Sequence, residues 1–91
     1  MPSPPPRLFA VIGLGGRERL TKAIQDRYPD DFYDLGDGTW LIVTRGTARS
    51  VSETLGISGG PSGSALVLSI SNYFGRANPD IWEWIELKMG G

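Results

Sequence analysis

The fold of this chain is decided by the stretch Thr39-Trp40-Leu41-Ile42-Val43-Thr44-Arg45. It follows the turn signal Gly36-Asp37-Gly38 and has the apolar, β-branched and aromatic content that predicts a strand. Successive side chains of a strand point to opposite faces, so Trp40 and Ile42 share one face of the predicted sheet. Leu41 and Val43 share the other face. Because both sets are apolar, the sheet needs cover on both sides.

Elements predicted on either side of this strand complete one small domain. Residues 8–12 form a continuous apolar run that is typical of a buried strand. A helix is predicted over 17–28, with an apolar stripe of Leu20, Ala23, Ile24 and Tyr28, and a polar edge strand follows over 31–35. A second helix is predicted over 47–55 with Thr47 as its cap, followed by a strand over 65–70. The last predicted element is a helix over 81–88 that starts at Asn78-Pro79-Asp80. A capping box at 50–53 leaves open a later start for the second helix.

The order of these elements predicts an α+β fold, a ferredoxin-like βαββαβ sandwich with an additional C-terminal helix. In this pattern the first and third strands lie side by side at the centre of a four-stranded antiparallel sheet. We expect one domain over residues 7–91, with a flexible glycine-rich loop at 58–64. The proline content of residues 1–6 predicts a disordered tail. A less favoured alternative is that this tail is a ligand for domains that bind proline-rich segments.

Composition excludes several classes of chemistry. The chain has 91 residues with neither Cys nor His, which removes disulfides, Cys/His zinc sites, thiol nucleophiles and Ser-His pairs. The net charge of −1 gives no general attraction to nucleic acid or to an anionic membrane. No apolar run approaches the ~20 residues of a membrane span. We predict a cytoplasmic protein without a cofactor, without a bound metal and without catalytic residues.

The need to cover a second sheet face predicts a partner. Two helices of a ferredoxin-like domain lie on one face of the sheet, and the terminal helix or a second copy of the chain would cover the other. We favour a homodimer, the commonest assembly, and we expect Trp82, Trp84 and Ile85 to bind the partner. Trp82 and Trp84 are two positions apart, so one would be core and the other exposed to a partner, unless both simply cap the sheet.

Three other patterns have simpler structural explanations. The glycines at 13–16 could hold a phosphate but lack the spacing of a dinucleotide site or a P-loop, so a tight turn is favoured. Four aspartates, Asp30, Asp31, Asp34 and Asp37, match no calcium loop and suit turns and an edge strand. Seven arginines and two lysines are interleaved with ten acidic residues, which predicts a solvated surface of mixed charge.

The run from Leu8 to Ile70, with its 39–43 strand and with Thr47-Ala48 opening the second helix, resembles small SinR-like proteins. These look like relatives of the small ferredoxin-like CRISPR-associated nuclease family. The resemblance implies a homodimer and a role with nucleic acid. The family has a metal-binding aspartate at the end of its first strand, where this chain reads Ile12-Gly13-Leu14, so the resemblance implies binding without metal-dependent cleavage.

The sequence therefore leaves three hypotheses for function. The first is a non-enzymatic, homodimeric protein-interaction domain, whose contacts can extend to another protein. The second is a nucleic-acid-binding protein that uses arginines such as Arg17, Arg19 and Arg76. The third, an enzyme, would need a base made from Asp, Glu, Lys or Tyr, and no paired arrangement of such residues is evident.

Overall fold

A computed structural model describes residues 5–15, 17–59 and 63–89, and it has a mixed α+β fold. The elements in chain order are β1 (Arg7–Gly13), α1 (Arg17–Arg27), β2 (Phe32–Gly36), β3 (Thr39–Thr44), α2 (Ala48–Thr54), β4 (Ala65–Ile70) and α3 (Pro79–Met89). The predicted order of strands and helices is confirmed. The predicted tail at 1–6 lies mostly outside the described residues, as does the middle of the predicted loop at 58–64.

The four strands form one sheet in the order β2-β3-β1-β4, and each neighbouring pair is antiparallel. The two central strands are therefore β1 and β3, as the sequence predicted. Phe9 lies opposite Ile42, and Ala10 lies opposite Leu41 on one side and Leu68 on the other. This register places the apolar residues of β1 and β3 next to each other on both faces.

A tight hairpin joins β2 to β3. Asp37 and Gly38 have φ values of 53° and 79°, the left-handed pair that a type I′ turn requires. A register shift between Asp34 and Gly36 marks a bulge just before the turn. The Gly-Asp-Gly signal thus predicted the hairpin correctly, and the aspartate tolerates its positive φ because a short polar side chain fits there.

One face of the sheet is covered by α1 and α2. The buried residues of this first core, all 3% exposed or less, are Phe9, Val11, Leu20, Ile24, Trp40, Ile42, Val51 and Leu55. Leu20 and Ile24 come from the predicted stripe of α1, four positions apart on one side of the helix. The Nε1–H of Trp40 is buried without a hydrogen-bond partner among the described residues.

The start of α2 is fixed by a capping box at Thr47. The backbone N–H of Ser50 donates to Oγ1 of Thr47, and the N–H of Thr47 donates in return to Oγ of Ser50. These two bonds satisfy donors that the first turn of a helix leaves unpaired. The helix therefore begins after Thr47 rather than at the later start that the sequence also allowed.

The opposite face of the sheet carries a second, smaller core. Its buried members are Leu8, Leu41, Val43 and Ile85, and the last of these comes from α3. The terminal helix thus folds back onto the sheet of its own chain. Within the described residues, no helix is both long and apolar enough to cross a membrane.

Candidate functional site

The local sequence fixes where α3 begins. Oδ1 of Asn78 accepts a hydrogen bond from the N–H of Asp80 at 2.9 Å, and the carbonyl of Asn78 accepts one from Ile81 at 3.0 Å. Pro79 occupies the first helical position, where its missing N–H costs nothing. The Asn-Pro-Asp start predicted from the sequence is confirmed.

Contacts on both margins hold α3 against the sheet. Ile85 is 5% exposed and packs at the centre of the second core. Toward β2, the ring of Trp84 lies 5.6 Å from that of Tyr33. On the side of the segment that follows β4, Trp82 stacks on Tyr73 at 6.2 Å with an interplanar angle of 22°. Aromatic pairs at such separations are attractive beyond the area that they bury.

An ion pair extends this attachment toward the end of the helix. Nζ of Lys88 lies 3.3 Å from Oδ1 of Asp31, just ahead of β2, with the two side chains 24% and 50% exposed. At this exposure the pair contributes at most about 1 kcal/mol. Its value is mainly in orientation, because it fixes the last turn of α3 above the β2 side of the sheet.

The cover that α3 provides is incomplete. Leu66 and Leu68 of β4 lie opposite Ile12 and Ala10 of β1, on the same face as the second core. They are nevertheless 49% and 46% exposed. We call these two side chains the leucine pair. They form an apolar strip along the β4 margin of the sheet, and the described residues leave about half of its surface open.

The two edges of the sheet differ in how they are protected. The outer strand β2 carries exposed Asp34 and ends in the bulge and turn described above, features that discourage another strand from pairing. The other outer strand, β4, keeps an unbroken register with β1 over six positions and has no charge, no proline and no bulge. An edge of this kind is open to strand addition.

The residues predicted to bind a partner lie together on α3, but they are not equally accessible. Ile85 is buried in the core of the chain, whereas Trp82 and Trp84 are half-buried and pack against the same core. Both tryptophans therefore contact the second core and keep part of their surface open to solvent. The sequence did not identify the leucine pair as a site. The alternation of residues along β4 predicted that Leu66 and Leu68 share a face, but their exposure depends on how much of that face α3 covers.

The arginines of the nucleic-acid hypothesis come from two segments of the chain, α1 and the segment between β4 and α3. Arg17 begins α1, and its side chain lies outside the described part of the structure. Arg19 lines an open depression between α1 and the end of α2, together with Lys22, Arg27 and Asp26. Arg76 is exposed in the segment between β4 and α3 and is not among the residues that line this depression.

The aspartates that could have suggested a metal site have other roles in the structure. Asp31 pairs with Lys88, and Oδ1 of Asp34 accepts the N–H of Gly36 at 2.8 Å. Asp37 occupies the hairpin turn. Over the described ranges, no group of three or more Asp, Glu, His or Cys side chains is arranged to hold a metal ion.

Comparison of the chain with protein-family models, with curated proteins and with solved structures found no match.

Proposed function

We propose that this chain is a ferredoxin-like, non-enzymatic interaction domain that works as a homodimer in the cytoplasm. The observation that carries the proposal is the leucine pair on β4, a strip of apolar surface beside the second core that α3 covers. Exposed apolar surface next to a covered core is a common feature of interaction sites. The absence of cysteine in a chain of 91 residues agrees with a reducing compartment.

The strand arrangement supports the ferredoxin-like part of the proposal. The order β2-β3-β1-β4 with every pair antiparallel is the one expected when two split βαβ units interleave. Both connecting helices, α1 and α2, pack on the same face of the sheet, and α3 occupies the other. Fold class alone does not decide function, so the interaction role depends on the surface and not on the fold.

The aromatic residues of α3 support protein contact on the same face of the sheet as the leucine pair. Trp82 is half-buried and stacks on Tyr73, in the segment that leaves β4. Tryptophan and tyrosine are enriched at the centres of interfaces because they bury a large area at low entropic cost. We propose that Trp82 contacts the partner directly, while Trp84 and Ile85 act by holding α3 in place.

The test is the molar mass in solution, measured by sedimentation over protein concentrations from about 1 µM to about 500 µM, a range that reaches weak standard-size interfaces. We expect the mass to rise to twice that of the chain. Leu66→Ser combined with Leu68→Ser should weaken the dimer at least ~10-fold, because the interface then buries less apolar surface. Trp82→Ala should weaken it as well.

Leu87→Ser is the matched control, because Leu87 is 75% exposed on α3 and belongs to neither core. Its dimer should be as stable as that of the unaltered chain. A monomer throughout the concentration range would rule out the homodimer. A dimer unaffected by the leucine and tryptophan substitutions would show that another surface makes the contact.

A second candidate function is the binding of nucleic acid, as the resemblance to SinR-like proteins implies. The depression between α1 and α2 favours it, since its lining has three cationic side chains, Arg19, Lys22 and Arg27, against the single carboxylate of Asp26. Binding of a labelled single strand should then weaken steeply with rising salt, and Lys22→Ala should reduce the salt slope by about 1.

Arg49→Ala is the control for this second candidate. Its side chain is 88% exposed on α2, pairs with Glu53 and does not line the depression. We expect this variant to keep the salt slope of the unaltered chain. A flat response to salt would rule out nucleic-acid binding by charge.

A further inference from the structure

We propose that two copies of the chain pair along β4, antiparallel and edge to edge, so that their two four-stranded sheets join into one continuous sheet. The inference rests on the proposed homodimer and adds which element makes the contact. It names the backbone groups that bond across the interface. It therefore makes a prediction that packing of one sheet face on another does not make.

The backbone of β4 has one set of groups committed to β1. The N–H of Leu14 donates to the carbonyl of Ser64 at 2.8 Å, which identifies that pair as hydrogen-bonded. Bonded and non-bonded pairs alternate along an antiparallel ladder. In the β1–β4 register the bonded positions that follow are Leu66, Leu68 and Ile70.

The alternate residues of β4 present their backbone groups to the outer edge of the sheet, where no other described strand pairs. These residues are Ala65, Val67 and Ser69, and their N–H and C=O groups point away from β1. The bond from Gly13 N–H to the Gly38 carbonyl, at 2.7 Å, agrees with this alternation because it turns the odd-numbered positions of β1 toward β3. Three donors and three acceptors thus line the outer edge of β4.

A second copy of β4 fits this edge. If the two strands are centred on Val67, then Val67 of one copy faces Val67 of the other, and Ala65 of each faces Ser69 of the other. This pairing makes about six backbone hydrogen bonds. It is self-complementary, as a two-fold interface must be. The strand Ala65–Ile70 has no charged residue, so no like charges meet across the axis.

The same pairing covers the leucine pair. Between the bonded positions, Leu66 of one copy lies opposite Leu68 of the other, and the reverse pair forms on the far side of the axis. Residues opposite each other at non-bonded positions have close Cβ atoms, about 4.5–5.5 Å apart. Four leucines, 49% or 46% exposed in the single chain, would then form one apolar cluster.

The alternative of packing the two sheets face to face is blocked by α3. This helix lies on the second face over Leu8, Leu41 and Val43, and a helix with its side chains is ~10 Å across. Two such helices would hold the leucine pairs of the two copies apart. The β2 edge is the poorer site for strand pairing because Asp34 and the bulge protect it.

The first experiment follows amide hydrogen exchange residue by residue in the unaltered chain, below and above the concentration at which the mass doubles. We expect the amides of Ala65, Val67 and Ser69 to exchange at least ~10-fold more slowly in the dimer, because they gain bonded partners. The amides of Leu66 and Leu68 already bond to β1 and serve as the internal control.

The second experiment compares Ser69→Pro with Ser69→Ala. The side chain of Ser69 is exposed, and proline removes only an N–H that points outward. We expect Ser69→Pro to raise the dissociation constant at least ~10-fold and Ser69→Ala to leave it nearly unchanged. Continued protection of the Leu66 and Leu68 amides verifies that β4 of the proline variant still pairs with β1.

The outcomes separate this inference from the proposed function. If the mass doubles while the outward amides exchange equally fast at all concentrations, the homodimer stands and the β4 pairing is wrong. If the mass never doubles, both are wrong. If the outward amides become protected only when a different protein is added, β4 pairs with a foreign strand, and the inference of a second copy is overturned.

Discussion

The indole ring of Trp84 and the phenol ring of Tyr33 lie 5.6 Å apart, tilted by 58°, and this contact joins α3 to the outer strand β2. A second pair of aromatic rings, Trp82 of α3 and Tyr73 of the segment after β4, makes a similar contact on the side of β4. The helix is therefore held at both margins of the sheet, and its attachment is an integral part of the second core.

Replacing Trp84 with alanine should destabilise the chain by about 2 kcal/mol. Full burial of a tryptophan would give about 3–5 kcal/mol, and the half-buried position of Trp84 reduces the loss. Urea denaturation measures the change in the free energy of unfolding. Tyr33→Phe is the control, since it keeps the ring contact; an equal loss in that variant would show that the ring pair is not responsible.

Ile85→Ala should cost about 2–4 kcal/mol, because Ile85 is 5% exposed and its loss leaves a cavity over Leu8, Leu41 and Val43. The change should appear as a lower urea midpoint. Leu87→Ala, at a position 75% exposed on the same helix, should change stability by less than about 0.5 kcal/mol. Similar losses in the two variants would contradict the placement of α3 on the sheet.

Gly13→Ala should destabilise the chain by about 1–2 kcal/mol. A Cβ at this position would lie 3.2 Å from the Gly38 carbonyl oxygen and 3.4 Å from a methyl of Leu20, so the β1–β3 ladder must shift. Gly15→Ala is the matched control because, apart from the adjoining residues, no heavy atom of the described chain lies within 4 Å of its added Cβ. Thermal denaturation of both variants measures the difference, and a loss confined to Gly15→Ala would contradict it.

Thr47→Ala should cost about 1 kcal/mol by removing the cap of α2, which for a domain of this size lowers Tm by roughly 4–8 °C. The lost bond is the one that Oγ1 of Thr47 accepts from Ser50 N–H at 3.1 Å. Thr47→Ser keeps the hydroxyl and should retain most of the stability. A Tm that falls equally in both variants would mean that the methyl of Thr47 matters and the cap does not.

Local signals predicted most of the fold. The Gly36-Asp37-Gly38 turn, the cap at Thr47 and the Asn78-Pro79-Asp80 helix start each involve residues within a few positions of one another, and each was confirmed. The central position of β1 and β3 followed from the order of elements and from their apolar content on both faces. These features depend on local chemistry, which the sequence displays directly.

The candidate site was harder to predict because it depends on how distant parts of the chain cover one another. The sequence placed Leu66 and Leu68 on one face of a strand, but it did not show that α3 leaves them exposed. It also named Ile85 as a partner-binding residue, while the structure places Ile85 inside the second core. Periodicity identifies the apolar side of a helix, but not which surface that side will meet.

The position of α3 along the chain has a consequence for synthesis. All four strands precede α3, so a chain that ends before Pro79 contains every strand of the sheet but lacks the helix that covers its second face. In such a chain Leu8, Leu41 and Val43 would lose the cover that Ile85 gives them and would be open to water and to other chains. A product that stops before Pro79 would keep that face exposed permanently, and we expect such fragments to depend on chaperones or to be degraded.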